Sequence, residues 1–131
     1  MKIRIAQNSD GPRIGELARH SGFTVNGLDW SEVHPFWLVA EREGKVVGAI
    51  NLILSRPIGW LEILSLDPGL SDKDRARAVK ALVLAGKAAL KRFGAQMAMG
   101  SVPHELKAYK KALKKRGAVV CSSGNVMASR L

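Results

Sequence analysis

Residues Gly59–Ala81 read GWLEILSLDPGLSDKDRARAVKA, and the order of apolar run, break and charged helix in this stretch sets the fold class. Trp60 to Leu66 is apolar and compatible with a β-strand, and Asp67-Pro68-Gly69 interrupts it. Ser71 or Asp72 then offers a side-chain oxygen to cap a long helix, and Ser71 with Asp74 three residues on is close to a capping box with Asp in the usual Glu position. A strand-turn-helix junction of this kind aims free backbone N–H groups and the positive end of the helix at one spot, which suits a phosphate. The same features also describe a well-capped structural helix start, and both readings stand at this point.

Downstream, Val79, Leu82, Val83, Gly86, Leu90 and Phe93 recur at helical spacing, Arg77, Lys80, Lys87 and Lys91 form a separate basic stripe, and Gly94 ends the helix. Ala95 to Val102 reads as a strand. Pro103 opens another helix with Leu106, Tyr109 and Leu113 inward and its lysines outward, and Gly117 stops it. Ala118 to Ser122, a turn at Ser123-Gly124-Asn125 and Val126 to Leu131 make a closing hairpin.

Upstream, Lys2 to Ala6 alternates as a first strand with Ile3 and Ile5 on one face. Asn8-Ser9-Asp10 and Pro12 start a helix that turns Ile14, Leu17 and Ala18 inward and stops near Gly22. A loop with a short helix leads to Pro35. Phe36 to Arg42 and Lys45 to Leu54 flank Glu43-Gly44 as a hairpin, and the strand from Gly59 completes a three-strand meander. The order β, α, short α, meander, long α, β, α, hairpin predicts an α/β mixed sheet with helices on both faces. The helical crossover makes the strands from Trp60 and Ala95 parallel neighbours.

At 131 residues the chain is expected to be one domain, residues 1–131, with a single core. The lone Cys121 forms no internal disulfide and fits a reducing compartment; the N-terminus shows no signal pattern and no run approaches a membrane span, so a soluble cytoplasmic protein is expected. His20, His34 and His104 have no metal-ligand spacing with Cys121, and no metal is expected. Ser65 has no assignable His partner to make it a nucleophile. Trp30, Trp37 and Trp60 either pack around the hairpin or line a cleft. The net charge is +10, and Ser71 to Arg116 carries 13 Lys or Arg against Asp72, Asp74 and Glu105, so the whole excess sits in two helices. Solvated helix faces and an electrostatic footprint for a polyanion both account for it.

This element order, with Asp67-Pro68 after a strand, resembles the GNAT superfamily of acyl-CoA N-acyltransferases along essentially the whole chain. Leu38-Val39-Ala40-Glu41 with Gly44-Lys45-Val46-Val47-Gly48 is similar to the family's central hairpin, Glu62 to Pro68 to its fourth strand, and Leu113 to Ala118 to its last helix turning into the sixth strand. The resemblance implies a mostly antiparallel central sheet of about six to seven strands, acetyl-CoA as co-substrate, and a short, divergent member of a kind found among phage-encoded proteins, located in host cytoplasm or virion in that case. The family's pyrophosphate loop has Arg or Gln, two residues, Gly, one residue, then Gly or Ala; counted from Asp67-Pro68 those places fall on Ser71, Asp74 and Ala76, of which only Ala76 conforms.

By the same resemblance, the backbone of Ile63, Leu64, Ser65 and Leu66 holds the pantetheine, and Ser71, Lys73, Arg75, Ala76 and Arg77 surround the pyrophosphate. Glu62 stands where the family often has a general base, and a half-exposed strand carboxylate paired to a nearby Lys or Arg is the competing role. The family's frequent general acid, a Tyr in the last helix, falls on Leu113; Tyr109, one turn earlier, is the only tyrosine, and a core role competes with a catalytic one. Two functions follow: an N-acetyltransferase acting on a primary amine by direct transfer, or a non-catalytic binding or structural protein, viral in the phage case, whose helices over Asp72–Phe93 and His104–Arg116 contact nucleic acid or another polyanion. No membrane partner is expected, and the oligomeric state is open.

Overall fold

The computed structural model describes residues 1–101, 107–115, 117–122 and 126–131. Its strands are β1 (Lys2–Ile5), β2 (Trp37–Arg42), β3 (Lys45–Ser55), β4 (Ile58–Leu66), β5 (Met97–Ser101), β6 (Val119–Ser122) and β7 (Val126–Arg130), and they form a single sheet in the order β1-β2-β3-β4-β5-β7-β6. Only the β4–β5 pair is parallel, as the crossover requires. The helices are α1 (Gly11–His20), the one-turn α2 (Trp30–Val33), α3 (Asp72–Arg92) and α4 (Lys107–Lys115). The mixed, mostly antiparallel sheet read from the sequence is the sheet observed. No described helix is long and apolar enough to cross a membrane.

Each face of the sheet carries its own core. On one face α1 turns Ile14, Leu17 and Ala18 fully inward against Trp37, Val39, Val46 and Ala49. On the other, Val79, Leu82 and Leu90 of α3 lie against Ile50, Leu52 and Leu61. Contact there is too close for any added carbon: a Cβ at Gly86 would come within 2.5 Å of Leu61 Cδ2, and one at Gly59 within 2.7 Å of Leu90 Cδ2.

Several side chains depart from the sequence expectation. Phe93 is 56% exposed because it caps the C-terminus of α3, past the last turn that faces the sheet. Ile5 is 60% exposed, since β1 is an edge strand with a neighbour on one side only. Lys87 leaves the basic stripe to donate to Ser129 Oγ on β7 at 3.0 Å. β5 starts at Met97, two residues later than expected, because the Ala95 and Gln96 amides are used on Leu90 O and Pro57 O in closing the preceding turn. Pro103, His104, Glu105, Leu106, Arg116 and the turn at Ser123-Gly124-Asn125 lie outside the described residues.

The turn after β4 is fixed by one carboxylate. Asp67 accepts from Arg13 Nη2 of α1 at 2.6 Å, faces Lys45 Nζ of β3 at 3.6 Å and accepts the Gly69 amide at 2.8 Å. Arg13 also donates from Nε to Val46 O at 3.0 Å, which ties α1 to β3 at the same place. The Gly69 amide and the Arg13 guanidinium hold the Asp67 carboxyl below the usual carboxylate range. Its stabilising effect is therefore complete above the unfolded pKa and is lost as pH falls through the lowered folded value. Asp67→Asn should destabilise the fold at pH 7 by about 1.5–3 kcal/mol, as expected for charged hydrogen bonds. In urea melts at decreasing pH, the gap between variant and parent should close in the acid range.

Candidate active site

β4 is two strands in one. From Ile58 to Leu61 it pairs with β5, the last pair being Leu61 with Gly100; from Glu62 to Leu66 no described strand lies along that edge. Gly100 permits the final pair, since a Cβ there would lie 2.6 Å from the Leu61 carbonyl oxygen. The divergence coincides with a bulge: Glu62 faces Asn51 and Ser65 faces Ala49, so Ile63 and Leu64 together oppose Ile50. Ile63 takes φ 53, a left-handed conformation that a β-branched residue adopts only at a cost of about 1–3 kcal/mol. Ile63 packs toward α1 and Leu64 toward α3, so the bulge sends successive side chains to opposite cores and leaves the strand edge open between them. Ser65 is fully buried and donates to Ile63 O at 3.0 Å, a bond that closes the bulge.

An apolar groove fills the opening. Leu64, Val83 of α3 and Leu113 of α4 line it, with Met99 and Ser101 on the β5 side. Glu62 does not line the groove but joins its edge through a hydrogen bond with the lining residue Ser101; it is half-buried, and burial pushes its carboxyl above the ordinary range while the Ser101 bond partly opposes the shift. Neither Ser101 nor Gly100 carries a signal that a sequence reading would catch, because both matter only through the strand pairing.

The N-terminus of α3 follows the turn. Ser71 Oγ accepts the Asp74 amide at 3.2 Å and Ser71 O accepts the Arg75 amide at 2.8 Å, so the expected cap forms. The Asp72 and Lys73 amides precede the helical ladder and have no partner among the described residues. Asp74 meets Arg42 Nη1 at 2.6 Å and Arg77 Nη1 at 3.9 Å, and hydrogen bonds with Ser71 and Arg42 hold its carboxyl below the usual range. Arg42, at the far end of β2, is the neutralising partner that sequence reasoning missed; a contact across 32 residues leaves no local trace. Lys73, Ala76 and Arg77 are exposed, while Arg75 is half-buried with its Nε sealed from solvent and without a partner among the described residues.

The remaining expectations fall as follows. Tyr109 lies in α4, its side chain outside the described residues, and Leu113 packs on Ala118 and Met127. Trp30 and Trp37 pack with ring centroids 5.5 Å apart, whereas Trp60 joins neither them nor a core cluster. His34 Nδ1 sits 2.9 Å from Ala6 O. Among the described residues no three His, Cys, Asp or Glu side chains group as a metal site.

No protein-family model matches the chain, and no curated protein matches it in sequence. Its likeness is to solved structures. Rv2747 from Mycobacterium tuberculosis in complex with CoA superposes with a TM-score of 0.80 at 17% identity over 100% of this chain and 99% of that one. PaiA N-acetyltransferase from Thermoplasma acidophilum in complex with coenzyme A gives 0.71 at 18% identity over 99% and 98%. An acetyltransferase of the GNAT family from Staphylococcus aureus Mu50 gives 0.74 at 13% identity over 99% and 98%. With near-complete mutual coverage, a parallel β4–β5 pair that parts at a bulge, and a capped helix following the parted strand, the chain has the fold of the GNAT acetyltransferases.

Proposed function

We propose that this protein is an acetyl-CoA-dependent N-acetyltransferase that acetylates a primary amine by direct transfer. The observation that carries the reading is the open edge of β4 from Glu62 to Leu66, which leads from a half-buried carboxylate to a helix N-terminus with unbonded amides. Structures similar to this one hold CoA, and the groove fits the narrow pantetheine arm in being lined by Leu64, Val83 and Leu113. The backbone of Ile63, Leu64 and Ser65 supplies hydrogen-bonding groups along that arm, while the Leu66 amide donates to Ser21 Oγ at 3.4 Å and leaves only its carbonyl for the ligand. The Asp72 and Lys73 amides, with Lys73, Arg75, Ala76 and Arg77 around them, receive the pyrophosphate.

Chemistry takes place at the mouth of the groove. Glu62 accepts the proton of the incoming ammonium, directly or through water, and the freed nitrogen attacks the thioester carbonyl carbon. The C–N bond forms, the tetrahedral carbon collapses and the C–S bond breaks, and the proton left on the nitrogen passes, directly or through water, to the departing thiolate, giving the amide and the CoA thiol. The thiolate needs no tyrosine to leave, because a thiol of pKa about 8.5 is a tolerable leaving group. A raised Glu62 pKa brings the base nearer in strength to the proton it removes.

A second reading rests on α4, where Lys107, Lys111, Lys114 and Lys115 are all exposed. These lysines give a phosphate-dominated surface for nucleic acid or another polyanion. Replacing Lys107, Lys111 and Lys114 by Gln should reduce the slope of log affinity against log salt for duplex DNA by about 0.9 per lost contact. Unchanged binding, or none by the parent at low salt, removes this reading.

Two measurements test the enzyme. Glu62→Gln should lower turnover of acetyl-CoA with a reactive amine by about 10²- to 10⁴-fold and leave cofactor affinity nearly unchanged. The parent rate should fall as pH drops through the raised Glu62 pKa, since the protonated acid accepts nothing, and the variant should lack that limb. Equal activity in variant and parent places the base elsewhere. Asp74→Asn removes a negative charge from beside the unbonded amides and should tighten acetyl-CoA binding in calorimetry; a loss of stability with unchanged affinity assigns Asp74 to the helix cap alone.

A further inference from the structure

The sheet face opposite α3 continues past the reach of α1. Its alternate residues make two rows: Asn51 paired with Glu62, to which Ser101 is hydrogen-bonded, then Ile53, Trp60, Met99 and Ala128. The first is polar and holds Glu62, and the second is apolar. Ile53 is 46% exposed, Met97 in the next row is 39% exposed, and none of Ile53, Trp60 and Met99 belongs to a packed core cluster. Met99 and Ser101 also line the β4–β5 groove, so the apolar face and the groove share these two residues, and Ser101 is hydrogen-bonded to Glu62. Phe36, 57% exposed, borders the polar row, its carbonyl accepting from Asn51 Nδ2 at 3.2 Å.

Charge on this face is one-sided. Arg130, paired with Met97, is the only basic residue in these rows among the described residues, and it lies roughly 13 Å along the strands from Glu62. An ammonium arriving here meets a carboxylate, while an anionic group carried beside it meets the same carboxylate and, among the described residues of these rows, no basic side chain nearer than Arg130.

We infer that the acceptor is a primary amine borne on an apolar or aromatic body without an anionic group, seated on Trp60, Ile53 and Met99 with its nitrogen at Glu62. This rests on the acyltransferase reading above and narrows it to a substrate class. Trp60 is the specificity-determining side chain: its ring offers the large flat surface two residues from the base, on the same face of the strand.

The test compares 2-phenylethylamine, phenylalanine and ethylamine, in acetyl transfer and in direct calorimetric binding to the full chain. 2-Phenylethylamine should exceed both others in kcat/KM by about tenfold or more, as apolar contact and an unpaired charge each discriminate on that scale. Trp60→Ala should raise KM for 2-phenylethylamine with kcat little changed and leave ethylamine unaffected, Trp60→Phe should restore most of the loss, and Met99→Ala should repeat it in milder form. Phenylalanine turned over as well as 2-phenylethylamine overturns the inference and leaves the acyltransferase reading standing. Binding of 2-phenylethylamine that Trp60→Ala weakens, with no transfer, upholds the site and sinks the enzyme reading. No binding and no transfer of 2-phenylethylamine overturns the inference, as does a homodimer in sedimentation that Trp60→Ala dissociates, since a second copy would then cover the face; the acetyl-CoA and Glu62→Gln measurements decide the acyltransferase reading separately.

Discussion

The parting of β4 from β5 is the constraint on which the rest of the structure depends. Parallel strands gain most when their ladder is complete, so a ladder that stops after Leu61 and Gly100 forfeits hydrogen bonds that the sheet could otherwise make. The bulge makes the loss unavoidable: with Ile63 at positive φ, the strand turns its edge away from β5 and cannot rejoin it. Everything placed around the gap follows from that turn. Glu62 sits just before it, the groove opens within it, and the Asp67 clamp fixes the exit toward α3.

Much of this fold was legible from local pattern. The apolar run before Asp67-Pro68, the Ser71 cap and the spacing of Val79, Leu82 and Leu90 each report on a few neighbouring residues, and each element formed where expected within a residue or two. The long crossover dictated the one parallel pair. Phe93 and Ile5 misled because periodicity assigns a face but not a place in the assembly: Phe93 lies past the last turn of α3 and Ile5 on an edge strand.

The site was legible in its residues and hidden in its geometry. Glu62 could be singled out by position, but its burial and its Ser101 neighbour depend on how two distant strands part. Asp74 puts a negative charge in the first turn of α3, and only the assembled sheet brings Arg42 of β2 against it. A β-branched residue is among the last that propensity would place at a left-handed position, so the Ile63 bulge has no sequence signature at all. Strand pairing and ion pairs across tens of residues are properties of the assembled sheet, and no window along the chain contains them.

The absent Cβ atoms at Gly86 and Gly59 have a mechanical meaning. With Leu61 and Leu90 filling those two spaces, α3 is keyed into the sheet and cannot slide by one residue or roll about its axis without driving a side chain into β4. Asp72 is 14 residues from Gly86, so the rigid helix carries that keying about 21 Å to its N-terminus. A notch in the middle of the sheet thereby sets the position of the amides at the far end, in the way that a key sets the angle of a shaft.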